Sequence, residues 1–118
     1  MQASNPSNSF SPLSEQAFFI LLSLSSGQKH GYAVLKDVKD SSAGALVLST
    51  STLYSALGRM QDQGLIMRVS VDEGEKPRPG LPRKFYQLSE KGRRVLRTET
   101  QRMQALVLLA EQQMGEGV

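Results

Sequence analysis

The segment STSTLYSALGRMQDQGLI, residues 49–66, predicts a helix with a defined start and a defined end. It opens with four hydroxyl residues, and Ser and Thr are side chains that cap the free N–H groups of a helix N-terminus. One apolar face follows at helical spacing: Leu53, Ala56, Leu57 and Met60. Gly64 supplies the end, because glycine readily adopts the left-handed conformation that follows many helices. We therefore expect a helix from about residue 50 with a polar opposite face.

Two further helices are predicted upstream. The run LSEQAFFILLSL from Leu13 is apolar around most of a helix, which is typical of an element covered on two sides, and Gly27 is its predicted cap. The second helix opens at His30-Gly31-Tyr32 and ends before Gly44. Its spacing places three side chains inward, Tyr32, Leu35 and Val38, and four outward, Lys36, Asp37, Lys39 and Asp40.

A hairpin and a long last helix are predicted downstream. Residues 66–71 and 83–88 have the β-branched and aromatic content of strands. Between them the loop DEGEKPRPGLP, residues 72–82, carries three prolines and two glycines. Ser89 then caps a helix whose apolar side chains recur at spacings of three, four and seven residues: Val95, Leu96, Met103, Leu106, Val107, Ala110 and Met114.

Composition excludes several classes of protein. The 118 residues fit one domain, and a content of 39% hydrophobic and 21% charged residues is typical of a packed globular chain. The absence of cysteine excludes disulfides, thiolate metal sites and a cysteine nucleophile. No signal peptide or membrane span is visible, which predicts a soluble, cytoplasmic protein without membrane association. No catalytic motif or metal-ligand spacing is present, so we expect neither an enzyme nor a cofactor.

The order helix, helix, helix, strand, loop, strand is that of a helix-turn-helix followed by a wing. The predicted fold is mainly α with a small β-hairpin, and it divides into three parts. Residues 1–12 are uncharged and rich in Ser, Asn and Pro, which predicts a flexible arm. Residues 13–88 form the winged helix-turn-helix, and residues 89–118 form a C-terminal helix that is free to pair with a second copy.

Three stretches resemble the PadR family of bacterial transcriptional regulators, in particular its short members with a single C-terminal helix. They are His30-Gly31-Tyr32, then Ser51-Thr52-Leu53-Tyr54 with Leu57 and Gly64-Leu65-Ile66, and finally PRKFYQLSEKG at residues 82–92, which is the most specific. The resemblance covers residues 13–114. The chain departs from it at Ser51, where many members carry glycine, and in the acidic wing tip at residues 72–75 followed by Leu81, where a basic residue is common.

The resemblance implies a homodimer that binds double-stranded DNA at a pseudo-palindromic operator, with a repressor as the favoured role. The predicted DNA contacts are Ser51, Thr52, Tyr54, Ser55 and Arg59 in the third helix, with Lys76, Arg78, Arg83 and Lys84 in the wing. The predicted dimer contacts are Phe18, Leu21, Leu22, Leu96, Met103, Leu106, Val107 and Ala110. Residues 83–97 carry a net charge of +5, more than the +3 of the whole chain, which favours a polyanionic partner.

Several alternatives stay open at the level of sequence. Ser49 and Thr50 are assigned to capping. For Ser51 and for Thr52, both capping and DNA contact stay open. Tyr54 is either a phosphate contact or a half-buried packing residue, and His30 is either a helix-start residue or a phosphate contact. The resemblance also implies regulation by a small-molecule effector, although no pocket is visible in the sequence. The rival function is a winged-helix protein-interaction module, which the acidic wing tip favours.

Overall fold

The computed structural model describes residues 13–69 and 84–115, and the helices and strands lie close to their predicted places. They are α1 Glu15–Leu24, β1 Lys29–His30, α2 Gly31–Ser41, α3 Thr50–Asp62, β2 Ile66–Val69, β3 Phe85–Leu88 and α4 Glu90–Met114. The predicted flexible arm at residues 1–12 and the wing loop at residues 72–82 lie outside the described residues.

Serine side chains cap three of these helices. Ser14 accepts a hydrogen bond from the backbone N–H of Ala17 at the start of α1, and Ser49 accepts one from Thr52 at the start of α3. Ser89 accepts one from Gly92 at the start of α4. Each bond satisfies an N–H group that has no partner inside its own helix. The predicted starts of α3 near residue 50 and of α4 after Ser89 are thereby confirmed.

A three-stranded antiparallel sheet in the order β1-β3-β2 lies beside the helices. Strands β2 and β3 form the predicted hairpin, with Ile66 opposite Leu88 and Val69 opposite Phe85. Strand β1 adds a third strand that the sequence analysis missed, because two residues are too short to show an alternating pattern. Since β1 immediately precedes α2, this pairing fixes the start of α2 against the base of the hairpin.

The core contains the apolar face that was predicted for α3. Leu53, Ala56, Leu57 and Met60 are all buried. They lie in one cluster with residues of the other elements: Ile20, Leu21, Leu24, Val34, Val38, Leu65, Ile66, Tyr86, Leu88 and Leu96. The mainly helical fold with a small sheet and a long C-terminal helix agrees with the sequence-based prediction.

The orientation of α2 differs from the prediction at two positions. Tyr32 is 46% exposed rather than inward, because Gly31, Val34 and Val38 form the buried line of the helix. Asp37 is half-buried rather than in solvent, and it accepts hydrogen bonds from Ser23 and Lys29. Partial burial opposes ionisation of Asp37, but these hydrogen bonds outweigh it and hold its pKa below the ordinary value.

Helix α4 changes character along its length. Its first half packs on the body through Gly92, Leu96 and Glu99, whereas residues 104–115 are exposed. This corrects two of the predicted dimer contacts: Leu96 is only 8% exposed and Leu21 is fully buried, so both already belong to the core of the single chain. None of the helices in residues 13–69 and 84–115 combines the length and hydrophobicity that a membrane crossing requires.

Candidate nucleic-acid interface

The polar side of α3 presents a line of small residues to solvent. At 3.6 residues per turn, Ser51, Ser55, Gly58 and Asp62 lie almost directly opposite the buried face. We call these four residues the outer face of α3. All four are exposed, and a Cβ atom added to Gly58 would meet nothing within 4 Å. The outer face is therefore narrow and uncharged in its N-terminal part and acidic only at Asp62.

The hydroxyl groups at the start of α3 divide between capping and exposure. Ser49 Oγ accepts from the Thr52 backbone N–H at 3.1 Å and donates to Thr52 Oγ1 at 2.9 Å. Ser49 is thus the capping residue, as predicted. The side chains of Ser51 and Thr52 are exposed, and Ser51 Oγ lies 3.5 Å from Ser49 Oγ. The hydroxyls of Ser51 and Thr52 remain accessible to a ligand at the N-terminus of the helix.

Tyr54 lies on one flank of the outer face and joins α3 to the start of α2. Its ring is half-buried and packs at 6.4 Å from the ring of Tyr86. Its hydroxyl lies so close to Gly31 that a Cβ at residue 31 would be 2.1 Å from the oxygen. Burial raises the pKa of Tyr54, with smaller contributions from Tyr86 and Tyr32. The packing interpretation of Tyr54 is therefore correct, whether or not its hydroxyl also contacts a ligand.

Lys84 connects the base of the wing with α3. Its ammonium group lies 5.9 Å from the centroid of the Tyr54 ring, within the range of a cation–π interaction. Residue 84 immediately precedes β3, so the contact places the start of this strand beside the outer face of α3. Two of the predicted DNA contacts are thus neighbours. Lys76, Arg78 and Arg83 lie outside the described residues.

Arg59 is exposed on the opposite flank of α3. At about 100° per residue it lies roughly 140° around the helix from Tyr54. The predicted contact residues therefore form two groups, one with Tyr54 and Lys84 beside the wing and one with Arg59 on the far side. Ser51 and Ser55 lie between them on the outer face.

An aromatic corner extends the Tyr54 side of this surface. His30 is the N-cap residue of α2, as the helix-start interpretation requires, and its ring packs edge-on at 5.3 Å from Phe85. Tyr32 lies next to it, with ring centroids 6.4 Å apart. The His30 side chain makes no capping hydrogen bond. These exposed rings lie next to Gly31, and hence next to the Tyr54 hydroxyl.

Comparison with known proteins identifies the family. Residues 20–98 match the model of the transcriptional regulator PadR-like family. The chain belongs to the PadR-like family. Members of this family are transcriptional regulators rather than enzymes, which agrees with the sequence-based expectation. No curated protein matches the sequence significantly.

Solved structures with the same fold support this assignment. A PadR family regulator from Clostridium difficile R20291 is 24% identical, with 86% of this chain and 100% of that chain covered and a TM-score of 0.69. One from Eggerthella lenta is 26% identical, with 87% of each chain covered and a TM-score of 0.63. Bacillus subtilis PadR, in complex with operator DNA, is 25% identical over 70% of this chain and 45% of its own, with a TM-score of 0.58. The PadR-like chain thus has the winged-helix fold.

Two features of the surface were missed at the level of sequence. Gly58 lies three residues after Ser55 and therefore on the same helix face as Ser51 and Ser55, so helical spacing alone could have predicted its exposure. The contact between Gly31 and Tyr54 joins residues far apart in sequence and leaves no local signal. In the described parts of the chain, no group of three or more His, Asp or Glu side chains could hold a metal ion.

Proposed function

We propose that this PadR-like chain is a sequence-specific DNA-binding transcriptional regulator that represses transcription as a homodimer on a pseudo-palindromic operator. The observation that carries the proposal is the contact of Lys84 with Tyr54, because it brings a wing cation and the outer face of α3 onto one surface. A groove-binding helix flanked by a basic wing is the arrangement that phosphate anchoring and base contact require. The complex of Bacillus subtilis PadR with operator DNA supports the same use of the fold.

In this proposal α3 enters the major groove from its N-terminus as far as Gly58. Ser51, Ser55 and Gly58 allow close approach, whereas the carboxylate of Asp62 is repelled by phosphates and keeps the C-terminal end farther from DNA. Thr52 and Arg59 contact the duplex on one flank. Tyr54 and Lys84 contact the backbone on the other, together with the wing residues Lys76, Arg78 and Arg83.

The homodimer is supported by an apolar surface that the single chain leaves open. Four consecutive side chains of α4, Leu106, Val107, Leu108 and Leu109, are 48–57% exposed. Consecutive residues point in directions about 100° apart, so one partner helix cannot cover all four. Leu22 is also exposed on α1. We infer that α4 packs between α4 and α1 of a second copy, with Phe18, Met103 and Ala110 at the same interface.

The proposal includes a small-molecule effector that binds to α4 and relieves repression. An open groove on α4 is lined by Thr100, Met103, Gln104, Val107, Leu108 and Glu111. These residues overlap the proposed dimer surface. A small apolar molecule that binds there would compete with the partner subunit or change its angle, and either effect would relieve repression.

The test is binding to a duplex selected by the wild-type protein from a random library. Fluorescence anisotropy at several salt concentrations should give a dissociation constant that rises with salt. Lys84→Gln removes one phosphate contact from each subunit, so it should reduce the slope of log K against log salt by about 0.9 per subunit, or about 1.8 for the dimer. Lys39→Gln, an exposed change of equal charge on α2, is the matched control. Failure to select or retain any duplex at low salt would favour the protein-interaction module, and a monomer in light scattering would refute the dimer.

A further inference from the structure

Three consecutive carbonyl groups follow the end of α3, and all three accept hydrogen bonds from the start of α4. Lys91 Nζ donates to the carbonyl oxygen of Gln63 at 3.0 Å. Ser89 Oγ donates to that of Gly64 at 2.6 Å, and the Ser89 backbone N–H donates to that of Leu65 at 3.0 Å. Two residues of one helix start thus bind the whole turn that ends the other helix.

Gly92 brings the two backbones into direct contact. A Cβ atom at residue 92 would lie 2.0 Å from the carbonyl oxygen of Leu65 and 3.0 Å from its carbonyl carbon. Both atoms belong to the backbone, so a larger side chain could be accommodated only if α4 and the Leu65 turn separated. The close approach therefore requires glycine.

The end of α3 has little freedom of its own. Gly64 has a φ of 78°, and its N–H donates to the carbonyl of Gln61 at 3.0 Å. The N–H of Leu65 donates to the carbonyl of Met60 at 2.9 Å. This is the Schellman pattern of a firmly closed helix end. The path from the last turn of α3 to the first turn of α4 is therefore hydrogen-bonded throughout.

We propose that Ser89, Lys91 and Gly92 are positioning residues that set the separation of the two α3 helices in the dimer. We call them the α3–α4 joint. The inference rests on the proposed homodimer, because α4 then carries the partner surface at one end and the joint at the other. The motif Ser-Glu-Lys-Gly thereby gains a role: it ties the helix proposed to contact DNA to the helix proposed to contact the partner.

Small rotations at the joint have large effects at the DNA surface. Helix α3 has 13 residues, so it is roughly 20 Å long at about 1.5 Å per residue. A rotation of about 5° at its C-terminal end moves its N-terminus by roughly 1.7 Å. In a symmetric dimer the two displacements approach the rise of one base pair, about 3.4 Å. A loosened joint would therefore let the dimer bind half-sites over a wider range of spacings.

The test measures the separation of the α3 helices without DNA. The chain contains no cysteine, so Ser55→Cys places one nitroxide spin label on the outer face of each subunit. Pulsed dipolar electron paramagnetic resonance should give a narrow interspin distance in this background. Adding Lys91→Met should shift the distance by about 3 Å or broaden it by a similar amount. Lys91→Arg should keep the original distance, because arginine also carries N–H donors.

Two further variants supply a control and a second change at the joint. Arg94→Met removes the same charge from an exposed residue of the same helix and should leave the distance unchanged. Gly92→Ala should produce the largest shift in the interspin distance. If the Gly92→Ala protein does not fold, the Lys91→Met protein alone tests the role of the joint. A Lys91→Met protein with the wild-type distance, even with a lower melting temperature, would overturn the joint alone. Absence of any dipolar signal in the Ser55→Cys background would overturn the homodimer, and the joint with it.

Discussion

Replacing Gly58 by alanine should raise the stability of the protein and weaken its binding to DNA. Gly58 lies inside α3, its φ is not positive, and a Cβ there would have open space around it. Alanine is better than glycine in a helix interior by about 0.8–1.0 kcal/mol. The free energy of unfolding should rise by that amount, which corresponds to roughly 3–6 °C in melting temperature for a domain of this size.

The effect on binding has the opposite sign. The new methyl group would project from the outer face beside Ser55, where the proposed complex brings base edges close. Extra volume in a well-packed contact costs about 1–3 kcal/mol. The dissociation constant for the selected duplex should therefore rise at least about fivefold, since 1.4 kcal/mol is a factor of ten. Thermal unfolding followed by circular dichroism and fluorescence anisotropy measure the two quantities on the same sample.

A control separates helix stabilisation from contact with DNA. Thr98→Ala replaces an exposed threonine on α4, away from α3, by the residue with the highest helix propensity. It should raise the melting temperature and leave the dissociation constant unchanged. If Gly58→Ala stabilises the protein and binds the duplex as tightly as wild type, DNA does not approach the outer face at Gly58, and the proposed docking of α3 is refuted.

Three further predictions address contacts that the structure adds. Tyr54→Ala should lower the melting temperature, because the ring packs on Gly31 and Tyr86, whereas Tyr54→Phe should not; weaker duplex binding by Tyr54→Phe would assign a DNA contact to the hydroxyl. Ala43→Gly should stabilise the protein by about 1 kcal/mol in urea titrations, because Ala43 has a φ of 55° at the end of α2; an unchanged midpoint would contradict this. Hydrogen bonds from Arg102 and from the Leu13 backbone hold the pKa of buried Glu99 below its ordinary value of 4.5, despite an opposing effect of burial. Ionised Glu99 therefore stabilises the fold above pH 4.5 and loses this effect as the pH falls through the lower folded pKa, so Glu99→Gln should flatten the decline in melting temperature in acid.

The local elements could be predicted because their signals lie within a few residues. Ser49 and Ser89 cap helices next to themselves, and Gly64 ends α3 by its own backbone conformation. Tyr32 was placed wrongly because α2 shows two competing apolar spacings. The buried side of α2 includes Gly31, because Gly31 lies in close contact with the Tyr54 hydroxyl. Since Tyr54 belongs to α3, the sequence of α2 alone could not predict which side of α2 is buried.

The sequence could predict which residues of α3 are exposed at the candidate site, but not which side chains contact one another there. Hydroxyl residues and helical spacing were enough to place Ser51 and Ser55 outward on α3. The same spacing could not show that Tyr54 contacts Tyr86 and Lys84, since Tyr86 lies on β3 and Lys84 immediately before it, more than 25 positions away in the sequence. Leu21 and Leu96 illustrate the same limit, because an apolar residue on a helix can serve either the core or a partner.

The charge on α3 bears on how affinity and specificity are divided. Within the helix Thr50–Asp62 the only charged side chains are Arg59 and Asp62, which cancel. The helix dipole and the hydroxyls at the N-terminus favour a phosphate or a base edge, but they supply little of the long-range attraction to DNA. That attraction must come from Lys84 and the basic residues around it. Changes at Lys84 should therefore weaken binding to every sequence alike, whereas changes at Ser55 or Gly58 should alter which sequence is preferred.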